Sequence, residues 1–70
     1  MDVAAELLPG RGVVHEFVTD EGAGVSVHAA RDGTFELYTR CEDDRDTYRW
    51  RLRLTGGEAQ TVATIFTARR

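Results

Sequence analysis

From Thr47 to Leu54 apolar and charged positions alternate without interruption. Tyr48, Trp50, Leu52 and Leu54 fall on one side and Arg49, Arg51 and Arg53 on the other, the period of a strand with one buried and one wet face. The period then changes. Thr55-Gly56-Gly57-Glu58 has the T-x-x-E form of a capping box. Beyond it Ala59, Val62, Ala63 and Phe66 recur at i, i+3, i+4 and i+7, with Ile65 on the flank, as in an amphipathic helix. A strand running straight into a capped helix predicts that the helix folds back over the sheet, with Trp50 on the inward face as the largest core residue. The tail Ala68-Arg69-Arg70 puts two arginines where they would suit the negative end of that helix.

The earlier part of the chain reads as four more strands. Asp2–Leu8 alternates weakly and suits an edge. Pro9-Gly10-Arg11-Gly12 follows, with proline preset for the second position of a tight turn and glycine for positive φ at the third, a type II turn. Val13–Thr19 is rich in β-branched and aromatic residues, and Asp20–Gly24 is a polar, glycine-rich connection. In Val25–Ala30 the residues Val25, Val27 and Ala29 point inward, Ser26 and His28 outward. Arg31-Asp32-Gly33 carries a hairpin signal. In Thr34–Thr39 Phe35 and Leu37 point inward, Glu36 and Tyr38 outward, and Arg40–Asp46 is a charged loop. Five short strands and one C-terminal helix packed on them make an α+β fold, with a mostly antiparallel meander.

At 70 residues the chain is one small domain. Such a chain buries only ~60% of the surface it exposes when unfolded. A single cysteine, Cys41, offers no internal disulfide, and no Cys/His cluster has metal-ligand spacing. Domains this size often lean on a second copy or on further chain. No signal peptide or membrane-spanning run is visible, which points to the cytoplasm. The net charge of −3 argues against a general nucleic-acid binder. All 9 basic residues are arginine, a compositional bias and not a functional mark.

Candidate chemistry is sparse. Arg49, Arg51 and Arg53 form a stripe that would bind phosphate or an acidic partner surface, or else pair across the sheet with Glu16 or Glu36 as a solvated face. Glu42, Asp43, Asp44 and Asp46 surround Arg45 in an acidic run that lacks the glycine and closing glutamate of a calcium loop, so a solvated turn is the simpler reading. His15 and His28 would meet only through sheet pairing. No nucleophile elbow, phosphate loop, paired carboxylates or H-E-x-x-H pattern occurs. A small-molecule pocket of ~300 Å³ or more would be hard to carve from so small a core. The sequence therefore reads as a non-enzymatic module with no cofactor and no metal.

The order of short motifs goes further. Leu8-Pro9-Gly10-Arg11-Gly12, His15-Glu16-Phe17, His28 with Asp32-Gly33, Glu36-Leu37-Tyr38, Glu42-Asp43-Asp44 with Asp46, and Leu52-Arg53-Leu54-Thr55 with Glu58-Ala59 follow one another at characteristic intervals. This series resembles the N-terminal domain of the regulatory subunits of bacterial potassium/proton antiporters, over almost the whole chain. The family usually has proline where Arg45 stands and acidic residues where Gly56 and Gly57 stand. The resemblance implies a module followed by a TrkA C-terminal (RCK-C) type domain that binds the regulatory ligand. It implies a homodimer on the cytoplasmic face of the inner membrane, held there by the antiporter without entering the bilayer. For a module that relays a change to the antiporter, the surfaces singled out as partner interface are the Pro9-Gly10 turn and the stripe of Arg49, Arg51 and Arg53. The alternative from another class is a free-standing homodimeric adaptor that binds an acidic soluble partner through the arginines. A third, single-stranded nucleic acid on an aromatic and arginine sheet face, is opposed by the negative charge.

Overall fold

A computed structural model of the chain describes residues 2–68. The order of elements is β1 (Ala4–Leu8), β2 (Gly12–Val18), β3 (Gly24–Ala30), β4 (Phe35–Arg40), β5 (Tyr48–Leu54) and α1 (Gly56–Thr67). The five strands form one sheet in chain order, each antiparallel to the next. Strand ends differ from the sequence reading by one or two residues, the ordinary scatter of frayed ends. Arg69 and Arg70, read as complementing the helix end, lie outside the described residues.

Local chemistry explains the meander. Leu8 carbonyl accepts from the amide of Arg11 at 2.9 Å and Gly10 has φ 78°, the type II turn that proline and glycine call for. Gly12 has φ 130°, and a Cβ there would run into the carbonyl oxygen of Ala29. Only glycine lets β2 start so close to β3. In the Arg31-Asp32-Gly33 turn the amide of Gly33 donates to Ala30 carbonyl at 3.1 Å. The Asp32 carboxylate accepts from the Thr34 amide at 2.9 Å and its hydroxyl at 2.7 Å.

Register sorts the side chains onto two faces. One is apolar: Leu7, Val13, Ala29, Phe35 and Leu54 form a row across all five strands, and Ala5, His15, Val27, Leu37 and Leu52 form the next. Phe17, Val25 and Thr39 begin a third. The other face is mixed, carrying Glu16, Ser26 and Tyr38 in one row and Val14, His28 and Glu36 in its neighbour.

At β5 the alternation breaks. Leu37 sits opposite Leu52 but Tyr38 sits opposite Trp50, which leaves Arg51 unmatched in a β-bulge. Trp50 and Tyr48 therefore turn to the mixed face, away from Leu52 and Leu54, while Arg49 comes opposite Thr39 at the end of the apolar face. The expected single side of Tyr48, Trp50, Leu52 and Leu54 does not form. Trp50 is 52% exposed and is not a core residue. Its indole N–H donates to Glu36 Oε2 at 3.2 Å, and Arg51 Nε donates to the Thr39 hydroxyl at 2.7 Å. These two bonds hold the bulge.

The capping box forms as read. Thr55 Oγ1 accepts from the amide of Glu58 at 3.1 Å, and Glu58 Oε1 accepts from the amide of Thr55 at 2.8 Å. The helix, however, packs loosely. It meets β5, and only Ala59 and Val62 of its stripe are half-buried. Phe66 is 70% exposed and Ile65 63%. Among the described residues no apolar side chain is fully buried, and the side chain that is buried is polar, Ser26. Ser26 was expected to be wet. It lies on the mixed face between Glu16 and Tyr38, whose longer side chains flank it.

Candidate functional site

The five interface candidates are not neighbours. Pro9 and Gly10 form the β1–β2 turn, beside the β3–β4 turn, to which it is tied by the Arg31 amide donating to Arg11 carbonyl at 3.1 Å. Arg49 and Arg51 lie at the opposite end of the sheet, next to the β2–β3 turn. A six-residue length of strand, roughly 20 Å, separates the two ends. The arginine stripe is itself divided by the bulge. Arg53 stays on the mixed face and pairs with Glu36 at 3.3 Å. Arg49 and Arg51 make no ion pair with any described residue. The cross-strand pairing read as the bland alternative thus holds for Arg53 and not for its two neighbours.

Around Arg49 and Arg51 the Thr19–Ala23 turn and the β4–β5 loop enclose a concavity of about 880 Å³, open to solvent. It is large enough for a small molecule, which the sequence did not promise, because it is made by loops at one corner and not cut from a core. Arg40, Cys41, Arg45 and Gly24 line it, together with the carboxylates of Glu21, Glu42 and Asp43. Arg40 is the member that the sequence reading missed by assigning it to the loop. It continues the Glu36, Tyr38 series on the mixed face and lies across Gly24, where any Cβ would meet its Nε at 2.8 Å. Its Nη2 donates to Tyr48 hydroxyl at 3.3 Å and its guanidinium carbon stands 5.7 Å from the Tyr48 ring centroid. The Nε is buried with no acceptor among the described residues.

The remaining candidates stand apart from each other. His15, opposite Val27, belongs to the apolar face, and His28, opposite Val14, to the mixed one, so the two imidazoles do not meet. His28 instead stacks against Tyr38 with ring centroids 4.4 Å apart. In the acidic run, Asp44 turns its carboxylate back on its own loop, accepting from the Asp46 amide at 3.1 Å and the Thr47 hydroxyl at 2.6 Å. These bonds, the hydroxyl's first, hold its pKa below the ordinary aspartate value. Among the described residues no group of His, Cys, Asp or Glu is placed to hold a metal ion, and no helix is long and apolar enough to cross a membrane.

A family model places this five-stranded meander and the capped helix that follows it in a cation-transport protein, as a domain of a K+/H+ antiporter subunit. Residues 1–70 match the family model described as K(+)/H(+) antiporter subunit KhtT, N-terminal domain, and the chain belongs to that family. No curated protein and no solved structure matches it.

Proposed function

We propose that this domain is a non-catalytic regulatory module that couples a cytoplasmic ligand-binding domain to the membrane antiporter. The observation that carries the reading is the family match over residues 1–70. The structure is consistent with it in kind: two surfaces at opposite ends of one sheet suit a part that touches different partners. The Arg49 and Arg51 corner, free of ion pairs with described residues, meets acidic residues on the cytoplasmic side of the transporter. The Pro9-Gly10 turn, at the same end of the sheet as the start of the helix but toward its other border, meets the rest of the regulatory subunit. Arg53 contributes less, because Glu36 already holds it. The module works as a homodimer and stays at the inner membrane through the transporter.

Co-purification of the full regulatory subunit with the antiporter tests this. Arg49→Ala with Arg51→Ala should weaken retention several-fold, since exposed charge contacts contribute up to ~1 kcal/mol each, and added salt should mimic the double variant. Arg53→Ala should change it little. No association of the unaltered subunit with the antiporter rejects the reading.

A further inference from the structure

We infer that the Arg49 and Arg51 corner of the sheet is a binding site for a soluble phosphate monoester with a hydroxylated body. The guanidiniums of Arg40, Arg45, Arg49 and Arg51 line the concavity there, and among the described residues none of them makes an ion pair. Carboxylates are at hand, since Glu21, Glu42 and Asp43 line the same space, yet they leave the arginines unpaired. Arg53, by contrast, closes on Glu36 at 3.3 Å. Guanidiniums left open in this way suit an anion from outside the chain.

The donors are arranged around one hydroxyl. Arg49 stands opposite Thr39 in the ladder, and Arg51 Nε donates to Thr39 Oγ1 at 2.7 Å. The threonine accepts in that bond, so its own hydrogen is left to donate, and Arg51 keeps its remaining N–H groups. Two guanidinium forks and an O–H offer more donors than a carboxylate uses, because one fork already engages both of its oxygens. A phosphoryl group has three strong acceptor oxygens to share among them. Arg40 gives a second sign of a missing acceptor. It lies across Gly24 with its Nε buried and unpartnered, held at Nη2 by a 3.3 Å bond to the Tyr48 hydroxyl. An orphaned donor is unfavourable, and turning this side chain toward an anion relieves it. The carboxylates narrow the class of ligand. They repel a bare phosphate ion but accept from hydroxyls, and the open space of about 880 Å³ has room for the body that carries them. The site stands on this geometry. Its consequence rests on the function proposed above: a bound ester occupies the arginines assigned to the antiporter and loosens the subunit from it.

Titration of the full regulatory subunit with glycerol 3-phosphate, followed through the arginine Nε–H resonances, is the test. The Arg49 and Arg51 signals, assigned by their loss in Arg49→Gln and Arg51→Gln, should shift and saturate at millimolar ligand. Sodium chloride at equal ionic strength should not reproduce the shift. Either substitution should weaken binding about tenfold or more, the loss of a charge-assisted hydrogen bond. Should these variants misfold, Thr39→Val keeps both arginines and should still weaken binding several-fold, while Arg53→Gln should change nothing. Inorganic phosphate should bind less tightly than the ester, and acetate less tightly again. No saturable shift, or an equal shift with chloride, overturns the site, and acetate binding as tightly as the ester overturns its assignment to phosphate. In the co-purification experiment the ester should release the antiporter beyond the effect of added salt. Binding without release keeps the site and overturns the antiporter contact at these arginines. No binding, with retention still sensitive to Arg49→Ala and Arg51→Ala, overturns the site alone.

Discussion

Glu36 ties β4 to β5 across the bulge. Its Oε2 accepts from the Trp50 indole and from the Arg53 guanidinium, which lie on either side of the unmatched Arg51. The Arg53 contact is legible in the sequence, since opposite charges on adjacent strands seek each other. The Trp50 contact is not, because it depends on the register beyond Leu52. Asp32 and Asp44 act more locally, each accepting from a threonine hydroxyl and an amide two or three residues on. Both have pKa values lowered by these bonds, the threonine side chain first. The sign follows from linkage: a carboxylate depressed in the folded state stabilises it above the ordinary aspartate pKa and loses that effect as pH falls through the depressed value. The two turns should therefore stay ordered through mildly acidic pH. The Thr34 and Asp46 amide resonances should move only in strong acid, below the ordinary aspartate range, and a midpoint near neutrality would contradict the assignment.

Between neighbouring residues and whole strands the sequence is unevenly readable. The capping box and the type II turn are local, and Thr55-Gly56-Gly57-Glu58 and Pro9-Gly10 declare them in full. Helix α1 needs its cap. It opens with two glycines, and Thr61, Thr64 and Thr67 turn their hydroxyls back onto carbonyls four residues earlier, an arrangement that favours the helix little. Thr55→Ala should cost about 1 kcal/mol and appear as lost helical ellipticity and fraying from Gly56, with the sheet signal kept. The bulge has no such local sign. Tyr48-Arg49-Trp50-Arg51-Leu52 alternates equally well with or without a break. Which face the indole takes is decided by Glu36 and Thr39 on the neighbouring strand, fourteen and twelve residues away from the groups they bind.

For the molecule as a whole, fold class and family were both legible, while the packing was not. The expectation of one strand and one helix burying their apolar sides together assumed a core complete within 70 residues. The structure has the apolar face, but among the described residues nothing closes it, and hydropathy alone does not show that. The homodimer proposed above predicts a melting temperature that depends on concentration. Each tenfold increase should raise the midpoint by several degrees, taking ~1.4 kcal/mol per decade and 4–8 °C per kcal/mol for a domain of this size. A midpoint flat across two decades would show that a single copy is self-sufficient.

The kink at Arg51 also bears on how copies fail to meet. β5 is a border of the sheet, and a straight border with free amides and carbonyls would template endless ladders of further chains. A misaligned residue flanked by cations spoils that template. Growth by adding ribbons side by side is disfavoured along this margin.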